Sequence, residues 1–196
     1  ASRFGILDAD GEGRVTDFIE KPENPPNNLA SMGVYVFSWE KVRSYLIADA
    51  ENPDSSRDFG NDVIPAMLAA DERLFAYEFE GYWRDFGTVE SLWEANMDLL
   101  EKEPPVDLGD SSWKIYSRNP FMPAALIGEG AELSNCMVPE GCEIDGSVVH
   151  SMLFQGVQVD SDALVKASVI MLSSHIGPGA TIERAILAAN VAVGAG

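Results

Sequence analysis

Two cysteines, two histidines and 13 basic residues are few for a chain of 196 residues. Each scarcity excludes something. Cys136 and Cys142 are too few for a disulfide framework and lack the paired spacing of a zinc site, so they read as small buried side chains in a reducing, cytoplasmic setting. His150 and His175 have no metal-ligand spacing and read as structural or surface residues. Against the 13 Lys and Arg stand 32 Asp and Glu, a net charge of −19. That balance leaves no basic stripe for a nucleic-acid backbone and no polybasic patch for a membrane, so neither is an expected partner. No apolar run reaches the ~18 residues of a spanning helix. The chain is nevertheless 46% apolar, enough for a real core in one domain or two small ones. It starts at Ala1 without a methionine or a signal-peptide pattern, and Val193-Gly194-Ala195-Gly196 stops inside a repeat. Both ends therefore read as cut from something longer.

From Ser2 to about Glu103 the pattern is mixed α/β. Phe4 to Asp8 and Arg14 to Glu20 are strand-like runs around Asp8-Ala9-Asp10-Gly11-Glu12-Gly13, which reads as a hairpin loop. A calcium loop would need a bidentate Glu where Ile19 stands, so calcium is discarded. Ser31 to Phe37 predicts a buried strand. Ser38 suits an N-cap for an amphipathic helix from Trp39 to about Ala48. Asp62 to Ala70 predicts a second helix, with Pro65 tolerated only in its first turn. Leu74 to Phe79 alternates as a strand. Thr88 caps the clearest helix, which carries Val89, Leu92, Trp93, Asn96, Leu99 and Leu100 on one face, Glu90 in its first turn, and an end near Lys102. Pro104-Pro105 cannot continue it, and the stretch to Pro123 reads as a linker.

From Ile127 the pattern changes. Ile127, Leu133, Val138, Ile144, Val149, Leu153, Val159, Val165, Ile170, Ile176, Ile182, Leu187 and Val193 recur mostly every five or six residues. Ile127-Gly128-Glu129-Gly130-Ala131 is nearly repeated as Ile176-Gly177-Pro178-Gly179-Ala180. A hexapeptide period of branched aliphatics with glycine beside them predicts a parallel β-helix, each aliphatic stacking on its counterpart one coil away. A β-sandwich would not demand this glycine phase.

Four polar clusters lie at predicted element ends, where α/β folds build sites. Phe18-Ile19-Glu20-Lys21-Pro22, Leu29-Ala30-Ser31-Met32-Gly33-Val34-Tyr35-Val36-Phe37, Arg57-Asp58-Phe59-Gly60-Asn61-Asp62-Val63-Ile64-Pro65 and Tyr82-Trp83-Arg84-Asp85-Phe86-Gly87-Thr88 together resemble, in order, the blocks of the bacterial glucose-1-phosphate adenylyltransferases. The helix from Val89 to Leu100 and the β-helix extend the resemblance over essentially the whole chain. Phe86 departs from the smaller aliphatic of that pattern, and Asn61 stands where a Lys is common.

The resemblance implies an α/β fold class. Residues 1–103 would be the C-terminal part of a Rossmann-like nucleotidyltransferase domain, 104–123 a linker, and 124–196 a left-handed β-helix. It implies that the phosphate of glucose 1-phosphate attacks the α-phosphorus of ATP and that pyrophosphate leaves, in glycogen biosynthesis. Lys21 would be the phosphate-binding cation, with Pro22 fixing its backbone. Glu20, Ser31, Tyr35, Asp58, Phe59 and Trp83 would surround the glucose ring, and Asp85 would hold Mg²⁺. Arg84 reads as a brace for the Asp85 loop. The family's glycine-rich nucleotide loop and second Mg²⁺-binding Asp are absent, so the chain is expected to be a C-terminal fragment, inactive alone. The alternatives are a regulatory subunit of the same assembly, a pyrophosphorylase for another sugar, and a hexapeptide acyltransferase using His150 or His175. Tetrameric assembly and allosteric effectors follow from the resemblance.

Overall fold

A computed structural model describes residues 2–117 and 120–196. Ala1, in the first expected domain, and Arg118 and Asn119, in the expected linker, lie outside the described residues. The chain divides into two compact units, one ending at Gly81 and the other running from Tyr82 to Gly196.

In the first unit β1 (Ile6–Ala9) pairs antiparallel with β2 (Val15–Ile19). The hairpin loop is set by Asp10, whose Oδ1 accepts the backbone N–H groups of Glu12 and Arg14, both at 2.9 Å. That carboxylate is doing the work of a turn. Ile6, Val15 and Phe18 are buried, Val15 and Phe18 three residues apart across a register shift opposite Asp8 and Ala9. Helix α1 (Trp39–Glu51) begins after Ser38 as expected, although the Ser38 hydroxyl makes no cap bond. A single π-turn, Phe59–Val63, runs into α2 (Ile64–Ala69), with Pro65 in the first turn where no N–H is required. Val42, Val63 and Met67 form the core here, with Phe37, Tyr45, Leu46 and Leu74 packed around them.

Two expected strands do not form. Segment 31–37 touches β1 only at its start, through the Ile6–Ala30 bridge and the Ser31 N–H bonded to the Gly5 carbonyl at 2.7 Å. It then turns at Gly33, in the left-handed region, and leaves Val34 and Val36 75% and 98% exposed. Leu74 to Phe79 makes one bridge, Arg14 to Phe75, and Phe75, Tyr77 and Phe79 stay exposed. Strand propensity needs a neighbouring strand to bond. Among the described residues no ladder continues alongside either segment.

The second unit begins with α3 (Val89–Asp98), capped by Thr88, whose hydroxyl accepts the Ser91 N–H at 3.1 Å in a reciprocal capping box. The helix stops at Asp98, short of Lys102, and Val89 is exposed. Partly buried Trp93 and buried Met97, with Leu100 just past the helix end, make up the packed stripe, in spacing i, i+4, i+7.

From Leu126 onward the described residues form a parallel solenoid of about four turns. Twelve short strands follow: β3 (Leu126–Ile127), β4 (Glu132–Ser134), β5 (Glu143–Ile144), β6 (Ser147–Val149), β7 (Met152–Leu153), β8 (Gln158–Val159), β9 (Leu164–Lys166), β10 (Val169–Ile170), β11 (His175–Ile176), β12 (Thr181–Glu183), β13 (Ile186–Leu187) and β14 (Ala192–Val193). They form three parallel sheets, ordered β14-β11-β8-β5-β3, β12-β9-β6-β4 and β13-β10-β7. In register, Ile127, Ile144, Val159, Ile176 and Val193 form one column, and Leu153, Ile170 and Leu187 another. The third column is Leu133, Val148, Val165 and Ile182, so the inward residue of β6 is Val148 and not the expected Val149. Ile127 and Leu133 are about two-fifths exposed because the first coil has a neighbour on one side only.

One corner departs from the glycine expectation. Asn135, His150, Ala167 and Arg184 occupy equivalent places in successive coils, all with φ between 46° and 48°. Non-glycine residues rarely accept that conformation, and inter-coil bonds hold it: the N–H groups of His150, Ala167 and Arg184 reach the carbonyls of Ser134, Val149 and Lys166. Met152, Val169 and Ile186 form an outward apolar column that α3 covers. The Trp93 indole N–H donates to the Ala167 carbonyl at 2.8 Å, and the Arg184 guanidinium lies 5.4 Å from the Trp93 ring.

Candidate functional site

The candidate residues of the first unit converge on the end of β2. Just past it, Lys21 adopts a left-handed backbone, φ 45°, and its Nζ lies 3.0 Å from Glu20 Oε1. The Lys21 side chain is 61% exposed and that of Glu20 only 15%, so a half-hidden carboxylate holds an accessible cation. The hydrogen bond and charge of Glu20, with a further contribution from the Asp58 charge, raise Lys21 above the ordinary lysine value.

Asp58 stands at the start of the π-turn. Its Oδ1 accepts the N–H groups of Gly60 at 2.8 Å and Asn61 at 2.9 Å, so one oxygen is committed to the cap. The Asp58 N–H donates to Asp62 Oδ2. The Ser56 hydroxyl, first among several donors, holds Asp62 below the usual carboxylate range. Phe59 stacks on Tyr35 at 5.8 Å and on Phe37 at 5.7 Å. Tyr35 and Phe59 remain over a third exposed, a platform with an open face. The Tyr35 and Ser31 hydroxyls are 3.0 Å apart, and Ser31 Oγ also accepts the Gly33 N–H. Segment 31–37 is therefore ordered by its side chains rather than by a sheet.

Trp83 and Asp85 belong to the second unit. Arg84 anchors their loop: its Nη2 and Nε bond Asp98 Oδ2 at 2.5 and 3.2 Å and its Nη1 bonds Glu94, while the Tyr82 hydroxyl donates to the same Asp98 oxygen at 2.8 Å. The brace read from the sequence is present. The Asp85 carboxylate folds back over Gly87, 2.8 Å from where a side chain there would begin. Phe86 points outward and is exposed. Among the described residues no three His, Cys, Asp or Glu are grouped to hold a metal ion. His150 Nδ1 is engaged by Asn135 and His175 by Asp160.

A family model described as nucleotidyl transferase matches residues 1–102. The chain belongs to the nucleotidyl transferase family. A second model, of GlmU-like C-terminal hexapeptides, matches residues 122–196. Glucose-1-phosphate adenylyltransferases of Bacillus mycoides and Bacillus anthracis are each 50% identical over 193 residues, 98% of this chain and 51% of the relative. The chain thus spans about half the length of the curated relatives it matches. The nucleotidyl transferase segment runs some twenty residues past the packing division at Gly81, because α3 matches that family yet packs on the solenoid.

Sequence reading missed two participants. Phe37 reads as a strand residue and is instead the third ring of the platform. Gly60 sits inside the Arg57–Pro65 segment, but nothing in the sequence says that Glu20 lies against it.

Proposed function

We propose that this chain serves adenylyl transfer to glucose 1-phosphate, in which ATP and α-D-glucose 1-phosphate give ADP-glucose and diphosphate. The observation that carries the reading is Lys21, an exposed cation tethered by Glu20, in a chain half-identical to enzymes of that name. A phosphate oxygen of the sugar phosphate attacks the α-phosphorus, and the bond to the bridging oxygen breaks as diphosphate leaves with the electron pair. Two anions must meet, so a fixed positive charge and exact placement matter most. Glu20 raises the proton affinity of Lys21, which favours the ammonium form that a phosphate dianion needs at neutral pH. Tyr35 and Phe59 offer an aromatic face to the apolar side of the ring, with Trp83 assigned the same task. Glu20, Ser31 and Asp58 supply acceptors and hydroxyls for the sugar.

Asp85 would hold Mg²⁺, which when bound neutralises charge on the nucleotide phosphates. A carboxylate oxygen suits a hard cation whose other ligands would be phosphate oxygens and water. ATP, a homotetrameric or heterotetrameric assembly, a cytoplasmic location and a place in glycogen biosynthesis belong to the same reading. No helix among the described residues is long and apolar enough to cross a membrane.

Titration of glucose 1-phosphate into the chain with Mg²⁺ tests the proposal. Lys21→Ala should weaken binding ~10-fold or more, the scale of a lost charge-assisted hydrogen bond. Equal binding by parent and variant would sink the assignment of Lys21. The 196 residues alone should form ADP-glucose no faster than the Lys21→Ala control.

A further inference from the structure

The carboxylate of Glu20 is not held by hydrogen-bond donors alone; it is seated against two stretches of backbone that carry no side chain. A Cβ on Gly60 would overlap Glu20 Oε2 and come within 2.9 Å of its Cδ. A Cβ on Gly5 would stand 2.8 Å from the same Oε2. Real Cβ atoms do not approach so closely, so both positions are open to Glu20 only because they are glycine. The rest of the carboxylate follows from this seat: with Oε2 lodged against Gly5 and Gly60, Oε1 points at Lys21 Nζ, 3.0 Å away.

We infer that Gly60 is a positioning residue, whose missing side chain lets Glu20 lie against the π-turn and so fixes the Lys21 ammonium. The inference rests on the reading of Lys21 as the phosphate-binding cation. Gly60 touches no substrate in this scheme; it acts through Glu20. The two glycines differ in a way that makes the idea testable. A methyl at Gly5 would also strike the ring of Phe18, a buried core residue. The atoms nearest a methyl at Gly60 are the carboxylate end of the Glu20 side chain and, at 3.2 Å, the Asp58 Oδ1 that caps the turn, none of them backbone or core ring. Gly60 has no left-handed backbone and sits in a helical turn, where alanine is the better former. Gly60→Ala should therefore leave the fold intact while displacing Glu20.

The experiment compares parent, Gly60→Ala, Glu20→Gln and the double variant of the same chain by thermal unfolding, by NMR titration of the Lys21 ammonium, and by glucose 1-phosphate binding. Gly60→Ala should melt no lower than the parent, yet move the Lys21 titration midpoint down toward the ordinary lysine value. In the Glu20→Gln background the same substitution should not move it further. Glucose 1-phosphate binding should weaken roughly tenfold or more, the cost of a misplaced charge. An unmoved Lys21 midpoint in Gly60→Ala overturns the positioning role, as does a fall in melting temperature large enough to account for the binding loss. A shifted midpoint with no sugar-phosphate binding even by the parent would uphold the positioning role and overturn the function assigned to Lys21.

Discussion

The middle coils of the solenoid hide their inward aliphatic residues almost completely, whereas the first unit leaves its most strand-like residues in solvent. Ile144, Val148, Val159, Val165, Ile170 and Ile176 are all at most 1% exposed, while Val36 is 98% and Tyr77 88% exposed. Composition does not explain the difference, because both segments carry branched and aromatic residues in strand-like order. The distance along the chain to a bonding partner does. Each inner coil of the solenoid bonds to the coil directly before and after it, so a short stretch of sequence supplies its own ladder and its own core. The first unit's extended segments have no such neighbour among the described residues, and one hairpin cannot cover them. Alternation in a sequence reports a readiness to pair; repetition reports the partner as well.

Substitutions at matched aliphatics should separate the two regions most sharply. Ile170→Ala removes a fully buried member of the Leu153-Ile170-Leu187 column and should cost about 2–5 kcal/mol in urea unfolding. Val36→Ala removes one carbon fewer, and from solvent, and should change stability by no more than ~0.5 kcal/mol. Comparable losses at the two sites would mean that Val36 is covered in solution, and the contrast would fail.

The next largest effect tests how the coils hold one another. Ser168, fully buried, donates its hydroxyl proton to the Lys166 carbonyl at 2.7 Å and accepts the Ala185 N–H at 3.1 Å from the next coil. Its own N–H is accepted by Ser151 one coil earlier. Ser168→Ala strands the Ala185 N–H inside the wall and should cost about 1–3 kcal/mol. Hydrogen exchange at Ala185 should accelerate in the variant; unchanged protection there would show that the serine ladder does not bind the coils.

How much of this was legible follows the same line. The hexapeptide phase exposed the solenoid, since every inward column is a repeated symbol in the sequence, and the single slip, Val149 for Val148, was a choice between adjacent valines. Doubled apolar pairs such as Met152-Leu153, Val169-Ile170 and Ile186-Leu187 carried a further message: both faces of that sheet are covered, one by the core and one by α3. The left-handed corner was illegible, because Asn135, His150, Ala167 and Arg184 share no residue type. In the candidate site the chemistry-bearing side chains were readable from resemblance, and the structure stacks Phe59, next to Asp58 in the chain, on Tyr35. What could not be read was contact through absence. The seat of Glu20 depends on atoms that Gly5 and Gly60 lack, and no pattern along the chain pairs residue 20 with residue 60.

The smallest expected effect concerns the stretch that joins the two kinds of sequence, Tyr82 to Asp98. It matches the nucleotidyl transferase family but is fastened as part of the solenoid's unit. Burial alone would raise the Asp98 carboxyl; the hydrogen bonds from Tyr82 and Arg84 and the guanidinium charge outweigh it and hold the group below its ordinary value of 3.8. A carboxyl depressed in the folded state is ionised in both states at neutral pH, where its pairing contributes in full. That contribution is lost as pH falls below 3.8 and through the lowered folded value. The stability gap between parent and Asp98→Asn should therefore stay constant from pH 7 to about pH 5, then narrow in stronger acid. Trp93 reports the event locally, since its indole bond to Ala167 ties α3 to the coils. A gap that stays constant to the lowest pH would mean that Asp98 is not paired in solution, and that it does not hold the Tyr82–Arg84 segment to α3.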